Sequence, residues 1–139
     1  MEERRDALRR HAAAAALICA CALGAATPGA AAACELPPGK RLESERFSLS
    51  YRTRPERIAV SEPFVLELAV CPRKGKAADG IRLDARMPEH RHGMNYRPSV
   101  TPLGAGRYRS EGWLFHMAGR WEFVFEISGE RFADSVRVE

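Results

Sequence analysis

The sequence has few of the residue patterns that catalysis requires. It contains no C-x-x-C pair, no phosphate-binding glycine loop and no Ser or Cys nucleophile in a recognisable setting. Its carboxylates show only ordinary surface spacing, so no acid/base pair stands out. Beyond residue 33, no stretch carries a sustained apolar stripe of helical period, which argues against a helical bundle. The sequence therefore predicts a protein that is not an enzyme.

The first 33 residues have the pattern of a secretory signal peptide. Arginines precede an uncharged alanine-rich run, and Ala31 and Ala33 occupy the A-x-A positions of a cut before Cys34. The apolar run is short and alanine-rich for a transmembrane span, so an uncleaved N-terminal anchor is the minor alternative. We expect a signal peptide at 1–33 and a mature domain at 34–139, periplasmic or secreted and not inserted in the membrane.

Charge and length set further limits. The chain has 22 Lys+Arg against 18 Asp+Glu, a formal net charge of +4 over 139 residues. The charges alternate in sign and form no long basic block, which favours solubility over nucleic-acid binding. This length suits one compact domain and leaves no room for two.

Only two of the four cysteines remain after the expected signal cleavage. Cys19 and Cys21 lie in the apolar signal segment, whereas Cys34 and Cys71 belong to the mature domain. An even pair in an exported domain predicts a disulfide, which would stabilise the fold by about 3 to 4 kcal/mol. The alternatives are a lipidated Cys34, although "AAAC" is a poor lipobox, and free thiols or thiolate ligands.

The mature chain is dominated by short runs in which apolar and polar residues alternate, the pattern of half-buried strands. The runs are "RFSLSYRT", "PFVLELAVC", "IRLDARM", "GRYRSEGWLFHM", "RWEFVFEI" and "ERFADSVRVE". Gly112 interrupts the fourth run and predicts a β-bulge there. Short strands separated by turn signals predict an all-β fold: an antiparallel, immunoglobulin-like β-sandwich of about seven strands.

Every histidine and methionine of the mature chain falls in one of two patches. One patch is "MPEHRHGM" at 87–94 and the other is "HM" at 116–117. Thioether sulfur favours Cu(I), and imidazole binds both Cu(I) and Cu(II), so this set predicts a copper site. If the first patch is extended, residues two apart project to one face and could share an ion. The candidate metal ligands are His90, His92, Met94, His116 and Met117.

Each candidate also has a simpler interpretation. Met87 continues the inward parity of its strand and is expected in the core, and Met117 could pack at the rim instead of binding metal. His116 could be a buried histidine with its hydrogen bonds satisfied. Glu89 could supply a carboxylate to a harder ion, whereas structural zinc is the weaker interpretation because methionine is a poor zinc ligand.

The segment "DARMPEHRHGMNYRPSVTPLGAGRYRSEGWLFHMAGRWEFVFEI", residues 84–127, resembles the YtkA-like domain, which is related in pattern to FixH-like proteins. The shared features are an "MP-x-H-x-H-G-M" turn, a "G-x-G-x-Y" strand start and an "M-x-G-x-W" hairpin. The resemblance implies a small exported immunoglobulin-like sandwich, broadly similar to copper-handling domains of the CopC type. It places His90, His92 and Met94 in the first motif and His116 with Met117 in the second. The chain departs from FixH-like proteins because it lacks a clear transmembrane anchor.

The leading hypothesis is an exported domain that binds or delivers copper, with a copper-dependent or haem redox protein of the envelope as its partner. The second hypothesis is a non-catalytic interaction module that docks on an envelope redox or membrane complex through the same loop. An envelope enzyme of unseen mechanism is the third.

Overall fold

The computed structural model describes residues 34–139, so the expected signal peptide lies outside the described residues. This part of the chain is all β and contains nine strands in two antiparallel sheets. No helix in it could span a membrane. The strands are β1 (Lys40–Glu43), β2 (Phe47–Arg54), β3 (Pro63–Pro72), β4 (Ile81–Met87), β5 (His92–Gly93), β6 (Ser99–Gly104), β7 (Arg107–Leu114), β8 (Gly119–Ile127) and β9 (Glu130–Val138).

The two sheets form a β-sandwich. One has the strand order β1-β2-β3-β7-β6 and the other β5-β4-β8-β9. The alternation in the sequence decides which side chains face the core, because successive residues of a strand point to opposite faces. The predicted inward residues of β2, β3 and β8 are all buried, and those of β4 are buried apart from the half-buried Ile81. The predicted β-sandwich is therefore confirmed.

Aromatic side chains dominate the core. Trp113, Phe115, Trp121 and Phe123 are each at most 1% exposed. Trp113 and Phe123 meet edge to face with ring centroids 5.3 Å apart, while Phe115 stacks on Trp121 at 4.3 Å. Such pairs add about 0.5 to 1.5 kcal/mol each beyond the burial of their area. This cluster extends from the centre of the sandwich to the end where β7 finishes and β8 begins.

Three strands are absent from the sequence-based prediction: β1, β5 and β6. The segment of β6, "SVTPLG", contains Pro102 and Gly104, which are typical of turns. It is an edge strand that pairs only with β7, and five of its six residues are exposed. Proline is tolerated on such an edge, and an exposed strand needs no apolar alternation. β1 has only four residues, three of them exposed, so neither strand leaves a hydrophobic signal.

The predicted bulge at Gly112 is present. The register between β3 and β7 shifts between Phe64 and Leu66, whose partners are Trp113 and Ser110. β7 therefore holds one more residue than β3 across this step, and Gly112 has a φ of 87°. The shift keeps both Trp113 and Ser110 buried, and the indole N–H of Trp113 donates a hydrogen bond of 2.9 Å to the Ser110 hydroxyl.

The cysteine pair predicted from the sequence is bonded. The Sγ atoms of Cys34 and Cys71 lie 2.07 Å apart and tie the lead-in before β1 to the end of β3. The β6–β7 hairpin packs against this bridge through Gly106, whose backbone carbonyl accepts a hydrogen bond of 2.8 Å from the Val70 amide. A Cβ at Gly106 would lie 2.5 Å from the Val70 carbonyl oxygen and 2.9 Å from the Cys34 sulfur. Only glycine allows the hairpin to approach so closely.

Replacing Gly106 with alanine is expected to destabilise the protein by about 1 to 3 kcal/mol, the usual cost of overpacking. Gly104 in the same hairpin is the matched control: its φ of 85° is also positive, but a Cβ there would meet nothing within 4 Å. Urea unfolding of G106A and G104A gives the comparison. Equal losses in the two variants would show that backbone strain, and not contact with the disulfide, requires glycine.

A hydrogen bond between side chains links the two sheets at the opposite edge. The phenol of Tyr51 on β2 donates to the carboxylate of Asp134 on β9, which also pairs with Lys40 at 3.2 Å. Tyr51 is only 3% exposed, and its ring lies against Phe125 and Phe123. Burial, and then the hydrogen bond to Asp134, raise the pKa of Tyr51 far above its usual value.

Stability is therefore expected to fall in alkali. The phenol of an unfolded tyrosine titrates near pH 10, while Tyr51 stays protonated in the folded state, so unfolding releases a proton above that pH. The stabilisation is complete below pH 10 and is lost at about 1.4 kcal/mol per pH unit above it. Urea unfolding between pH 8 and 11 tests this, because the slope should be shallower in Tyr51→Phe. A slope unchanged by Tyr51→Phe would place the alkaline effect elsewhere.

Candidate metal site

The first histidine and methionine patch lies at one end of the sandwich, where β4 turns back into β5. β5 pairs with the end of β4, and His92 is the cross-strand partner of Met87. Partners in a ladder project to the same face, so His92 points toward the end of the core beside the fully buried Met87. His92 itself is half-buried. The position of His92 is therefore set by the short β4–β5 hairpin and not by an extended loop.

The segment between Met87 and His92 is a tight turn. The His90 amide donates to the Met87 carbonyl at 3.1 Å, the Arg91 amide donates to Pro88 at 3.3 Å, and Arg91 has a φ of 56°. The condition of an extended segment, under which His90 and His92 would share one face, is therefore not met. The turn nevertheless keeps the two rings close, with centroids 5.8 Å apart.

The second patch lies in the β7–β8 connection. Phe115 is fully buried, whereas His116 is exposed and Met117 is half-buried. The interpretation of His116 as a buried histidine is therefore wrong: Trp113 and Phe115 carry the buried parity, and His116 falls on the opposite, outward parity. The Phe115 carbonyl accepts a hydrogen bond of 2.7 Å from the Ser61 amide, which holds the backbone beside His116 in place.

The two patches meet in space. The rings of His92 and His116 lie with centroids 5.3 Å apart and planes tilted by 31°. Two imidazoles bound to one ion through nitrogen at about 2.0 Å have ring centroids roughly 5 to 6 Å apart. Both separations from His92, to His90 and to His116, lie within this range. His92 is thus the middle member of a row of three imidazoles.

Trp121 on β8 supports this row from below. Its indole meets the ring of His92 at 5.7 Å and that of His116 at 5.5 Å, both nearly perpendicular. Its N–H donates a hydrogen bond of 3.0 Å to the backbone carbonyl of Met117. Since Trp121 is fully buried and stacked on Phe115, it is a rigid support for residues from both patches.

The hydrogen bond of His92 determines which nitrogen is left to bind metal. Its Nδ1 lies 3.1 Å from the carbonyl oxygen of Gly93. A carbonyl oxygen can only accept, so in the tautomer that makes this hydrogen bond Nδ1 carries the proton and Nε2 has the free lone pair. A hydrogen bond from one ring nitrogen to a backbone carbonyl is the usual support of a metal-binding histidine.

The three methionines differ in their environment. Met87 is 1% exposed and belongs to the core, as the sequence parity predicts. Met94 and Met117 are half-buried and pack against the edge of the core, one from each patch. The amide of Met94 donates to the Ala85 carbonyl at 3.3 Å, which holds it beside β4. Two partly accessible thioethers therefore lie in the same two segments as the imidazoles.

The carboxylate nearest in sequence is already paired. Glu89 in the turn lies 3.1 Å from the guanidinium of Arg120 on β8. Residues 34–139 contain no group of three or more His, Cys, Asp or Glu side chains arranged to hold a metal ion. The donors that remain are the imidazoles of His92 and His116 with thioether sulfur, and this set fits Cu(I), which binds soft ligands, better than zinc or a harder ion.

Sequence reasoning assigned Trp121 to the core and missed its contacts with both histidines. Its burial was predictable from the alternation of β8, but its neighbours depend on the pairing of β4 with β8. The one local signal is the spacing of Met117 and Trp121, because it allows the indole N–H to reach the backbone four residues earlier.

Comparison of the chain with protein-family models, with characterised proteins and with solved structures finds no match.

Proposed function

We propose that the chain is an exported, immunoglobulin-like domain of the YtkA-like kind that binds Cu(I) and passes it to a redox protein of the cell envelope. In this proposal residues 1–33 are a signal peptide, and the disulfide-bonded domain works in the periplasm or outside the cell. The observation that carries it is the contact between His92 and His116, two rings from separate segments whose centroids lie 5.3 Å apart.

Three features support copper as the ligand. The Nε2 of His92 is left with its lone pair, the methionines of both segments are half-buried beside the histidines, and the nearest carboxylate is paired with arginine. Imidazole and thioether ligands together favour Cu(I). His92 and His116 would hold the ion, with Met94 or Met117 as the soft ligand and His90 as an auxiliary donor.

Delivery, as distinct from storage, is supported by exposure. His90 and His116 are exposed, so a bound ion would remain within reach of ligands on a partner. A site with few protein ligands at the end of a sandwich can exchange its ion without unfolding. An enzyme is not proposed, because the sequence contains no recognisable catalytic constellation.

The test is a Cu(I) titration in competition with a coloured chelator, on the protein purified from expression of the full chain, alongside its thermal melt. We expect one equivalent to bind with a dissociation constant below about 1 µM. At 100 times that constant, linkage gives about 2.7 kcal/mol of stabilisation and a clear rise in melting temperature. Weak binding without a thermal shift would refute the proposal.

The second candidate is the interaction module, which one observation favours. Tyr96 is 43% exposed, one of two large hydrophobic side chains exposed in residues 34–139, and its hydroxyl donates to the Leu114 carbonyl at 2.9 Å. It is therefore held on the surface beside the histidine row. This candidate requires that copper leave the melting temperature unchanged and that Arg91→Ala or Tyr96→Ala abolish capture of an envelope redox protein.

A further inference from the structure

The first half of β4 lies at an edge of the four-stranded sheet, and its backbone groups are only partly paired. In an antiparallel sheet, the backbone groups of successive residues point to opposite edges of the strand. The amide of Ser128, just after β8, donates to the Gly80 carbonyl at 2.8 Å, so even-numbered residues of this segment face β8. The amide of Met94 donates to the Ala85 carbonyl at 3.3 Å from the other edge. The odd-numbered residues therefore direct their backbone groups away from β8.

Two of these odd-numbered residues have no partner for their backbone groups. The Ala85 amide is satisfied by the carboxylate of Asp84, which accepts its hydrogen bond at 2.8 Å. Ile81 and Leu83 have no such cap, and β5 does not reach them because its pairing with β4 stops at Arg86. Within residues 34–139 their N–H and C=O groups therefore face an open edge. Backbone groups in this state require water or a ligand as their partner.

A groove of about 530 Å³ lies along this edge. β4 lines it through residues 81–84, and Arg97, Pro98 and Val100 line it from the segment that enters β6. Leu83 is part of the lining although its side chain points to the core and the whole residue is only 5% exposed. What the groove exposes of Leu83 is therefore its backbone. The volume lies within the range of ordinary ligand sites.

The charges of the groove favour an acidic occupant. Three arginines line it against two carboxylates, and both carboxylates are already engaged. Glu126 pairs with Arg82 at 3.6 Å, and Asp84 accepts the hydrogen bond from the neighbouring amide. Arg97 is exposed and forms no ion pair within residues 34–139. Its guanidinium is therefore free to bind a carboxylate from outside the chain.

We propose that this edge binds an extended acidic segment of a partner protein by strand addition. The backbone of the segment pairs with Ile81 and Leu83, and a carboxylate of the segment binds Arg97. Because side chains of an added strand alternate between the two faces, every second one meets the apolar surface of Val100 while the others remain on the outer face. The backbone bonds provide affinity and the charge selects the segment. The edge is separate from the histidine row, so the proposal does not depend on copper binding.

The probe is a short acetylated and amidated peptide of alternating valine and glutamate, titrated into the ¹⁵N-labelled protein purified from expression of the full chain. We expect saturable shifts and slower hydrogen exchange at the amides of Ile81 and Leu83. A valine and lysine peptide of the same length should bind at least about 10-fold more weakly, and so should the acidic peptide with methylated backbone nitrogens. Equal binding of either comparison peptide would overturn the proposal, because it requires both the charge and the backbone hydrogen bonds.

Arg97→Gln should weaken binding of the acidic peptide by about 10-fold. Arg137→Gln is the matched control, because Arg137 is an exposed arginine of the same sheet that does not line the groove. It should leave peptide binding unchanged, and an equal loss in both variants would overturn the proposal in favour of general charge. Shifts confined to the histidine end would overturn it as well. So would shifts of Ile81 and Leu83 that depend on protein concentration without peptide, because they would assign the edge to a second copy of the chain.

Discussion

Replacing His92 and His116 together by alanine is expected to lower the affinity for Cu(I) by at least about 100-fold. Each imidazole ligand contributes more than the 1.4 kcal/mol that corresponds to a factor of ten, and no other histidine of residues 34–139 contacts both segments. The metal-free protein should keep its stability within about 1 kcal/mol, because His116 is exposed and His92 is half-buried. Chelator competition and thermal melts measure the two effects.

His90→Ala provides the internal comparison. Its ring is 5.8 Å from that of His92 but belongs to an exposed turn, so we expect a loss of about 10-fold or less. A double variant that still binds Cu(I) tightly would remove His92 and His116 from the site. A loss in His90→Ala as large as in the double variant would move the centre of the site into the turn.

Trp121→Ala is expected to cost about 3 to 5 kcal/mol, the usual result of truncating a buried tryptophan. Trp121 is fully buried. Its exposed fraction is 0%, its indole stacks on Phe115, and it contacts both imidazoles. The cavity would also remove the support under His92 and His116. Urea unfolding measures the stability, and Cu(I) affinity is measured where the variant is folded.

Trp113→Ala is the matched control, since Trp113 is equally buried but contacts Phe64 and Phe123 and none of the histidines. Both variants should lose similar stability, but only Trp121→Ala should also lose Cu(I) affinity in its folded fraction. Trp121→Phe should recover most of both. Equal affinities in Trp113→Ala and Trp121→Ala would limit Trp121 to a role in the core.

Alternation in the sequence predicted the strands that carry the core. In β2 and β8 the aromatic and aliphatic residues of one parity are all buried, and Ser48, Ser50 and Val124 of the other parity are buried as well. The same reasoning could not find β6, where Val100 is the one half-buried residue, or the two-residue β5. Those strands form because a neighbouring strand offers backbone hydrogen bonds. Pairing with a strand elsewhere in the sequence leaves no pattern in the local residues.

The candidate ligands follow from composition, but their geometry does not. Histidine and methionine fall in only two patches of the mature chain, whereas the turn at Arg91 and the connection after Leu114 decide where these side chains lie. The contact of His92 with His116 depends on the long-range pairing of β4 with β8. Likewise, nothing local in the sequence predicts that residues 34–38 lie against β2, where the Ser50 hydroxyl donates to the Pro37 carbonyl.

Because β5 is so short, it also affects how readily the domain could aggregate. β5 pairs only with Arg86 and Met87, so the first half of β4 has β8 on one side and no strand of residues 34–139 on the other. An open strand edge invites addition of a second molecule. Here Arg82 and Asp84 are exposed on the outer face beside that edge, and their charges would have to be dehydrated for two copies to join. Replacing both residues with neutral ones is therefore expected to let further copies of the domain add to this edge and assemble into fibrils.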